Sequence, residues 1–431
     1  MILNILSQAQ TAAQQKDWSL VNQYLQQLIT TKSEKNADTA SQLTTAELEQ
    51  VLYLALEVLN AGDFQQRWDV VKVFPKLGEN ALAPLITIMQ DEDAEIELRW
   101  FAGRILAGFN HPTVVTSLIE LVKTTEDEEL VEMARTALTN LGSSAIDALT
   151  NLLAEEESRL LAVRSLAQIR SSQTIAPLLT VVKDQNVIVR ATAIEALSSF
   201  HDARIPPVLL SALQDLAAPV RKEAVVGLGL RPDVRDELDL VNHIKPLLYD
   251  FNIDVCGCAA IALGRLGTDN AVTALFEILK SPATPEILQL TVVRALAWIN
   301  TSYSLDCLGQ GLTSTPAVSQ EIIMQLGRIE KPLKSQAADI LIEFINSEQL
   351  AQQTSLKNSL ALALGQLGEI KAIDPLIQLL ADFDSSVQFH AIAALKTLAP
   401  QQAHQQLQQL AADTQLSVEL KQGIAIALQE W

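Results

Sequence analysis

The sequence contains little cysteine, few aromatic residues, and few glycines or prolines. Three cysteines in 431 residues, an odd and small number, exclude a disulfide-stabilised scaffold and suit a reducing compartment. Sixteen glycines and fifteen prolines are too few for a collagen-like chain or a flexible linker protein. Aromatic residues make up 4% whereas hydrophobic residues reach 48%, so alanine, leucine, isoleucine and valine dominate the apolar content. This composition supplies a large core and argues against intrinsic disorder.

Positive charge is also scarce in the sequence. Lys and Arg number 31 against 51 Asp and Glu, which gives a formal net charge of −20. A surface this acidic repels the phosphate backbone, so we expect no nucleic-acid partner. No run approaches the roughly 18 uncharged apolar residues of a spanning helix. No basic residue precedes the apolar start at residues 1–6, as a signal peptide would require. We therefore expect a cytoplasmic protein without membrane insertion.

The usual signatures of catalysis and metal binding are missing from the sequence. It has no Cys-x-x-Cys motif, and no two histidines stand four residues apart as they do on zinc-binding helices. It also lacks a Gly-x-Ser-x-Gly elbow and a glycine-rich phosphate loop. We therefore predict no catalytic residue and no cofactor bound by the chain itself. The histidines are His111, His201, His243, His390 and His404.

One pattern recurs along most of the chain. Residues 189–197, 220–228, 255–263 and 387–395 can be aligned, because each begins with valine, carries small residues near its centre and ends with leucine. The first three copies begin 31 and 35 residues apart. Each copy continues into a second apolar segment, which usually ends at an aspartate. These aspartates are Asp184, Asp215, Asp250 and Asp382.

The spacing within each repeat predicts two helices. Apolar residues fall at i, i+3, i+4 and i+7, which is the stripe of an amphipathic helix. The last glycine of residues 262–267 and of residues 363–368 fits a helix C-terminus in the left-handed conformation. Pro177 and Pro375 fit the first turn of the second helix. One helix pair cannot bury its apolar face alone, so the pairs must stack. We predict an all-α fold, an α-solenoid of about ten helix pairs.

The two ends of the chain lack the repeat pattern. Residues 1–62 predict about three helices with a polar interruption near residues 30–45, and residues 401–431 predict irregular, partly Gln-rich helices. Solenoids need terminal elements that cover their exposed core faces. We therefore predict a helical N-terminal cap over residues 1–62, a repeat array over residues 63–400, and C-terminal capping helices over residues 401–431.

The repeats resemble HEAT repeats, in particular the short form of the cyanobacterial bilin lyases (the phycobilisome-lyase HEAT-like type), over residues 64–431. Two cyanobacterial groups are similar: the paired E/F-type phycobilin lyases, and a HEAT-repeat protein that associates with an A-type iron–sulfur carrier. The long single chain looks more like the second group. The resemblance implies an iron–sulfur carrier or a phycobiliprotein as partner. We predict no cofactor for the chain itself. The resemblance implies an alternative, in which an iron–sulfur cluster or a bilin is shared with that partner. Fold likeness alone does not establish function.

Three cysteines are weak candidates for metal ligands. Cys256 and Cys258 lie in one repeat helix and point about 200° apart, at roughly 100° per residue. We expect Cys256 at an exposed boundary position, because Arg190 and Arg221 occupy it in neighbouring repeats, and Cys258 towards the buried alanine-rich face. With Cys307, these thiols are candidate ligands of a partner's iron–sulfur cluster. The alternative is that they are small fillers of the core.

Acidic clusters recur in the first part of the array, at residues 91–97, 126–132 and 155–157. Between residues 91 and 157 the chain has 15 Asp or Glu against 4 Lys or Arg, a net charge of −11. Each cluster falls in the turn between repeats, so stacking would align them into one acidic ridge. The ridge is either a solvated edge that keeps the stack soluble or a docking edge for a basic partner. The candidate contacts for docking are Glu126, Asp127 and Glu128.

Tryptophans and arginines supply the remaining candidates for partner binding. Six of the nineteen aromatic residues lie within 46 residues, and Trp68 and Trp100 among them are candidate contacts because tryptophan is frequent in binding hot spots. The alternative is packing between the cap and the first repeats. We expect Arg190, Arg221 and Arg265 to pair with aspartates of adjoining turns. The alternative is a line of arginines on the concave face that binds ligand carboxylates, such as bilin propionates.

We expect a non-catalytic protein–protein interaction scaffold that holds another protein on the concave face of its helices. The alternative is an enzyme or chaperone, a phycobilin lyase or a lyase-like protein acting on chromophore attachment. The repeats motivate the binding role, whereas the resemblance alone motivates these partners.

Overall fold

The structure, a computed structural model, describes residues 2–30, 43–347, 350 and 353–431. These residues form helices joined by short turns, and no β-strand occurs among them, which confirms the predicted all-α class. The polar interruption predicted near residues 30–45 lies mostly outside the described residues. The chain divides into two compact units, Met1–Phe200 and His201–Trp431. The three-part division into cap, array and cap stays a prediction.

The described residues of the first unit form twelve α-helices. They are α1 (Ile2–Gln14), α2 (Trp18–Thr30), α3 (Thr45–Ala61), α4 (Phe64–Val70), α5 (Leu82–Gln90), α6 (Ile96–Leu106), α7 (Pro112–Thr124), α8 (Glu128–Asn140), α9 (Ser143–Leu152), α10 (Arg159–Gln168), α11 (Ile175–Thr180) and α12 (Val187–Ser198). Helices α1, α2 and α3 pack on one another, and α2 and α3 pack on α4. These first three helices agree with the three predicted for residues 1–62.

The described residues of the second unit form fourteen α-helices. They are α13 (Ile205–Ala212), α14 (Ala218–Gly229), α15 (Leu240–Ile244), α16 (Ile253–Leu266), α17 (Asp269–Lys280), α18 (Glu286–Ile299), α19 (Ser302–Gly311), α20 (Pro316–Leu326), α21 (Lys334–Ile345), α22 (Thr354–Leu367), α23 (Ile373–Gln378), α24 (Ser385–Leu398), α25 (Pro400–Ala411) and α26 (Val418–Gln429). Short 3-10 turns extend several of the odd-numbered helices, as at Lys245–Tyr249 and Leu379–Ala381.

Within each unit the helices lie in two layers. Consecutive even-numbered helices contact one another from α6 to α12 in the first unit and from α14 to α24 in the second. The odd-numbered helices form the other layer, in which α5, α7 and α9 are neighbours in the first unit, and α17, α19 and α21 in the second. Each odd helix from α5 onward packs on the even helix that follows it. The described residues thus contain eleven helix pairs, close to the ten predicted.

Small residues let consecutive even helices approach closely. A Cβ atom added to Gly229, the last residue of α14, would lie 2.7 Å from the Cβ of Ala262 on α16. A Cβ atom added to Gly365 of α22 would lie 2.9 Å from the Cβ of Ala394 on α24. Neither position has room for a side chain, so both glycines serve helix packing. Gly365 is the first glycine of a Leu-Gly-x-Leu-Gly signature found at residues 263–267 and 364–368.

The second glycine of that signature ends the helix. Gly267 has φ +65° and Gly368 has φ +61°, and the N–H of each donates to the carbonyl four residues earlier. Only glycine adopts this left-handed conformation at little cost. The predicted helix ends at residues 267 and 368 are thereby confirmed.

The turn aspartates connect each odd helix to the next even one. The carboxylates of Asp184, Asp215, Asp250 and Asp382 each accept a hydrogen bond of 2.8–2.9 Å from the backbone N–H two residues further on. In three of the four turns the residue that donates this N–H is itself the N-cap of the following helix. Its side chain accepts a hydrogen bond from the backbone of that helix. These caps are Asn186, Asn252 and Asp384.

In nine of the even helices, the side chain of the fourth residue after the N-cap donates a hydrogen bond back to a carbonyl oxygen of the preceding helix end or turn; α8 and α10 carry Val131 and Ala162 there. We call this fourth position the donor position. The last carbonyls of a helix have no partner within it, so these donors satisfy acceptors that would otherwise remain unpaired. The donor position is occupied by Arg67, Arg99, Arg190, Arg221, Cys256, Gln289, Ser319, Gln388 and Lys421.

The close approach at Gly229 predicts a steric effect on stability. Gly229→Ala should lower the free energy of unfolding by about 1–3 kcal/mol, because its Cβ would overlap Ala262. Gly257→Ala is the matched control, since it lies inside α16 with no atom within 4 Å of the added Cβ. That variant should gain up to about 1 kcal/mol from helix propensity. Urea denaturation of the two variants measures both effects, and an equal change in both would contradict the steric role.

Candidate protein-binding groove

Four aromatic side chains from α4 and α6 form one cluster in the first unit. The ring centroid of Phe101 lies 5.4 Å from that of Phe64, 6.3 Å from that of Trp68 and 5.3 Å from that of Trp100, each in edge-to-face geometry. Phe101 is fully buried, whereas Phe64 is 56% exposed and Trp68 37% exposed. Phe101 therefore packs in the core, whereas partner contact by Trp68 and Trp100 stays a prediction.

Arg104 covers the tryptophans of this cluster. Its guanidinium carbon lies 4.5 Å from the ring centroid of Trp68 and 5.3 Å from that of Trp100, the geometry of cation–π contacts. The side chain is exposed and forms no ion pair within the described residues. Since Arg104 follows Trp100 by four residues, one helix face brings them together.

The aromatic cluster forms one side of an open groove, and the first turns of α8 form the other. A first part, of about 700 Å³, lies between α4, α6 and the start of α8; the adjoining part, of about 730 Å³, continues between α6 and α8. Trp100, Glu128 and Glu129 line both parts. We call this the aromatic groove. Its other lining residues include Phe64, Ile96, Val71, Met133 and Ala137.

The predicted placement in turns describes Glu155, Glu156 and Glu157 before α10, whereas the first two clusters extend from the turns before α6 and α8 into the first turns of those helices. Several of these carboxylates have partners. Arg67, itself buried, bonds to Glu95 at 3.0 Å and to Glu97 at 2.8 Å. Lys123 lies 2.8 Å from Glu155 and lowers its pKa by hydrogen bonding.

The acidic residues at the start of α8 differ in their roles. The carboxylate of Asp127 accepts hydrogen bonds of 3.0 Å from the N–H groups of Glu129 and Leu130, so Asp127 caps α8. The side chains of Glu126, Glu128 and Glu129 form no ion pair or hydrogen bond within the described part of the chain. The helix N-terminus favours acidic residues here, but it leaves these carboxylates available at the groove.

An adjoining groove of about 900 Å³ lies between α8, α10 and α12. It is lined by three arginines, Arg135, Arg164 and Arg170, and by Glu132 and Glu195. Arg135 forms a hydrogen-bonded ion pair with Glu132 and lowers the pKa of Glu132. Arg164 and Arg170 are exposed and form no ion pair within the described residues. We call this the arginine groove.

The predicted pairing of arginines with turn aspartates describes Arg221. Its guanidinium forms two hydrogen bonds of 2.7 Å to the carboxylate of Asp250 and donates to the carbonyls of residues 215 and 216. Hydrogen bonding by Arg221 lowers the pKa of Asp250. Arg190 donates to the carbonyls of residues 184 and 185. Both arginines therefore have structural partners in the turns.

Arg265 departs from that pattern. It is exposed on α16, and its guanidinium carbon lies 5.7 Å from the ring centroid of Trp298 on α18. Arg265 belongs to the last turn of its helix, far from the donor position, so it faces a neighbouring side chain rather than a turn aspartate. Trp298 is 64% exposed. This arginine–tryptophan pair resembles the contact of Arg104 in the first unit.

The structure reverses the two cysteine placements that the sequence suggested. Cys256 is 3% exposed, because its donor position points back into the turn, where the thiol donates to the carbonyl of Asp250 at 3.1 Å. Cys258 is half-buried rather than buried, since two residues further on the helix turns towards its outer side. Burial raises the pKa of both thiols and of buried Cys307. All three favour the protonated form, which binds metal poorly.

The described residues hold no group of three or more His, Cys, Asp or Glu side chains placed to bind a metal ion. In this part of the chain no helix is long and apolar enough to cross a membrane. That the cysteines bind a partner's iron–sulfur cluster stays a prediction.

The repeats match known HEAT repeats. The HEAT-repeat family model matches residues 82–161 and 154–229, and the PBS lyase HEAT-like repeat matches residues 356–382. The predicted α-solenoid fold of HEAT-like helix pairs is confirmed. No curated protein matches the chain in sequence.

Solved structures share this fold at low sequence identity. A Kap121p mutant is 13% identical with a TM-score of 0.55, and the match covers 95% of this chain and 53% of that chain. The Kap95:Nup1 complex is 14% identical with a TM-score of 0.51, and the match covers 94% of this chain and 64% of that chain. Human deoxyhypusine hydroxylase is 20% identical with a TM-score of 0.27 over 62% of this chain and 99% of that chain. At these identities the first two matches show the fold alone.

Two features of the site were missed in the sequence. Arg104 was not singled out, although its spacing of four residues from Trp100 is a usable signal for a cation–π contact on one helix face. The repeat alignment marks Arg190, Arg221 and Cys256 as equivalent positions, but it does not show that their side chains donate to a turn carbonyl. The general signal of the donor position is a hydrogen-bond donor four residues after an N-cap, and this signal also covers Gln289, Ser319 and Gln388.

The donor position at Arg221 predicts a graded loss of stability. Arg221→Met should lower the free energy of unfolding by about 3 kcal/mol, because it keeps the aliphatic volume but removes the ion pair and the bonds to carbonyls. Arg221→Gln should cost about 1–2 kcal/mol, since an amide can still donate. Urea denaturation near neutral pH compares the two. Equal losses would contradict the donor role.

The ion pair at Asp250 predicts a pH effect. Its pKa is lowered in the folded protein, so it adds stability above the ordinary aspartate pKa of about 3.9 and loses that stability as pH falls through the lower folded value. The stability difference between the wild-type protein and Arg221→Met should therefore stay constant above about pH 5 and narrow below about pH 4. Denaturation at several pH values measures it, and a difference that widens in acid would contradict the assignment.

The thiol environments predict an order of reactivity. Iodoacetamide should modify Cys258 first in the folded protein, while Cys256 and Cys307 stay protected by burial. Mass spectrometry after timed alkylation measures the order, and the same reaction in urea is the control in which all three should react alike. Modification of Cys256 ahead of Cys258 would show that the donor position opens in solution.

Proposed function

We propose that this protein is a non-catalytic interaction scaffold that binds a partner protein along the even-numbered helices of its first unit. The observation that carries the proposal is the aromatic groove, which is lined by exposed Phe64 and partly exposed Trp100, with Trp68 beside them and Phe101 buried beneath. Stacked helix pairs offer extended surfaces that suit protein partners. The groove residues bring together aromatic, apolar and acidic side chains, a composition suited to recognition.

The exposure of the aromatic side chains supports partner contact over internal packing. Tryptophan and arginine are the residues most enriched in interface hot spots, and here Trp68, Trp100 and Arg104 lie together. Arg104 restrains the indoles in place, so less conformational entropy is lost when a partner binds. An iron–sulfur carrier or a phycobiliprotein is the partner that the resemblance to the cyanobacterial proteins favours.

A second candidate is a phycobilin lyase or lyase-like chaperone. The PBS lyase HEAT-like repeat at residues 356–382 favours it. The arginine groove adds a physical reason, because Arg164 and Arg170 form no ion pair within the described residues and their guanidinium groups suit bilin propionates. Absorbance of the purified protein mixed with a bilin tests this function. A shifted bilin spectrum that is lost in Arg164→Ala/Arg170→Ala would support it, and an unchanged spectrum would remove it.

The scaffold proposal predicts which variant loses its partner. Affinity purification from the native host, followed by mass spectrometry, should recover a specific protein with the wild-type chain. Trp68→Ala/Trp100→Ala should reduce its recovery and weaken its affinity at least tenfold, because Trp100 lines the groove and Trp68 lies beside it under the same arginine. Trp298→Ala is the control, since it removes an exposed tryptophan from the second unit.

Circular dichroism should show that both variants keep the helix content of the wild-type chain. Equal partner recovery with the groove variant and with the control would contradict binding at the aromatic groove. Reduced recovery with the control alone would move the binding surface to the second unit.

A further inference from the structure

We propose that the aromatic groove binds a basic segment of the partner protein, with a lysine or arginine side chain of that segment seated at Trp100 between Glu128 and Glu129. This inference rests on the proposed scaffold function and adds the chemistry of the ligand. It places the recognised cation at one defined point, where both parts of the groove meet.

Two carboxylates at this point have no partner among the residues that the structure describes. Glu128 and Glu129 are exposed, line both parts of the groove, and form no ion pair or side-chain hydrogen bond within the described residues. The other groove carboxylates are committed: Glu97 to Arg67, and Glu132 to Arg135. A cation entering the groove therefore meets two uncompensated negative charges beside one indole.

The indoles already hold a cation of the chain itself. Arg104 lies over Trp68 and Trp100 at cation–π distances, so these rings accept a guanidinium in the folded protein. Arg104 does not neutralise the nearby carboxylates, because it forms no ion pair within the described residues. Five acidic residues line the groove, and two of them, Glu97 and Glu132, are paired with Arg67 and Arg135. The one positive charge of Arg104 therefore stands against the three others, Asp127, Glu128 and Glu129.

The shape and charge of the groove favour a basic protein segment over an acidic one. The apolar lining by Ile96, Val71 and Met133 suits the aliphatic stems of lysine and arginine, which pack on apolar surface while the charged head meets carboxylates. The surrounding stretch of residues 91–157 carries a net charge of −11, and the whole chain −20. Both charges steer a basic partner towards the groove and repel an acidic one.

The test uses the full-length protein and two fluorescein-labelled twelve-residue probes, a repeated Gly-Lys-Ala peptide and its Gly-Glu-Ala counterpart. Fluorescence anisotropy at low salt should show binding of the lysine peptide and none of the glutamate peptide. Glu128→Gln/Glu129→Gln should weaken the lysine peptide at least tenfold. Both substitutions lie on the surface, and unchanged thermal unfolding by circular dichroism should show that the fold is kept.

The matched control is Glu156→Gln/Glu157→Gln. It removes the same charge from an exposed turn one repeat further along, outside the groove lining. The control should change the affinity less than twofold. Equal weakening by both variants would show that only the overall charge matters, and would overturn the site.

The two proposals fail in distinguishable ways. If the lysine peptide does not bind, or the glutamate peptide binds in its place, the basic-segment inference is wrong. The scaffold function still stands in that case, provided that the native partner is lost with Trp68→Ala/Trp100→Ala. Loss of lysine-peptide binding in Trp100→Ala, together with the effect of Glu128→Gln/Glu129→Gln, would locate the cation at the proposed point.

Discussion

The close approach of consecutive even-numbered helices is the constraint on which the rest of each unit depends. Where Gly229 meets Ala262, and where Gly365 meets Ala394, one backbone lies against the next with no side chain between them. A single helix pair has no core of its own, so these contacts and the leucines around them hold each pair against its neighbour. The stacking of successive repeats also places their outward-facing side chains next to one another. The aromatic groove forms in this way, because its residues come from α4, α6 and α8.

Much of the fold could be predicted from the sequence because its signals are local. Two kinds of residue act within a few positions of their own place in the chain: the left-handed glycines at residues 267 and 368, and the aspartates of the turns. Their roles can therefore be predicted from the local sequence. The placement of Cys256 could not be predicted in the same way. Its burial depends on a carbonyl six residues earlier that only the folded turn presents. Reasoning from exposed arginines at equivalent positions therefore gave the wrong environment.

The candidate site was predictable in its composition and not in its geometry. Trp100 meets Arg104 within α6, four residues apart, but Trp68 lies 32 residues before Trp100 and meets Arg104 only because the side chains of α4 lie against α6. Adjacent residues can also differ completely, as buried Phe101 and partly exposed Trp100 do, since neighbours on a helix point about 100° apart. The acidic turns were recognisable as clusters. Arg67 and Arg135 form ion pairs with some of these carboxylates and not with others. The sequence does not show which carboxylates these arginines contact.

The donor position carries a consequence for how such repeats diverge. Arginine, lysine, glutamine, serine and cysteine fill it in nine even helices, so in those turns the hydrogen-bond donor is kept while its size and charge vary widely. In an alignment of these repeats, the column of the donor position would look variable in residue type, although these turns keep a hydrogen-bond donor there. Duplicated repeats can drift in sequence at this column until their kinship is hard to detect, while the turn geometry that orders the stack is preserved.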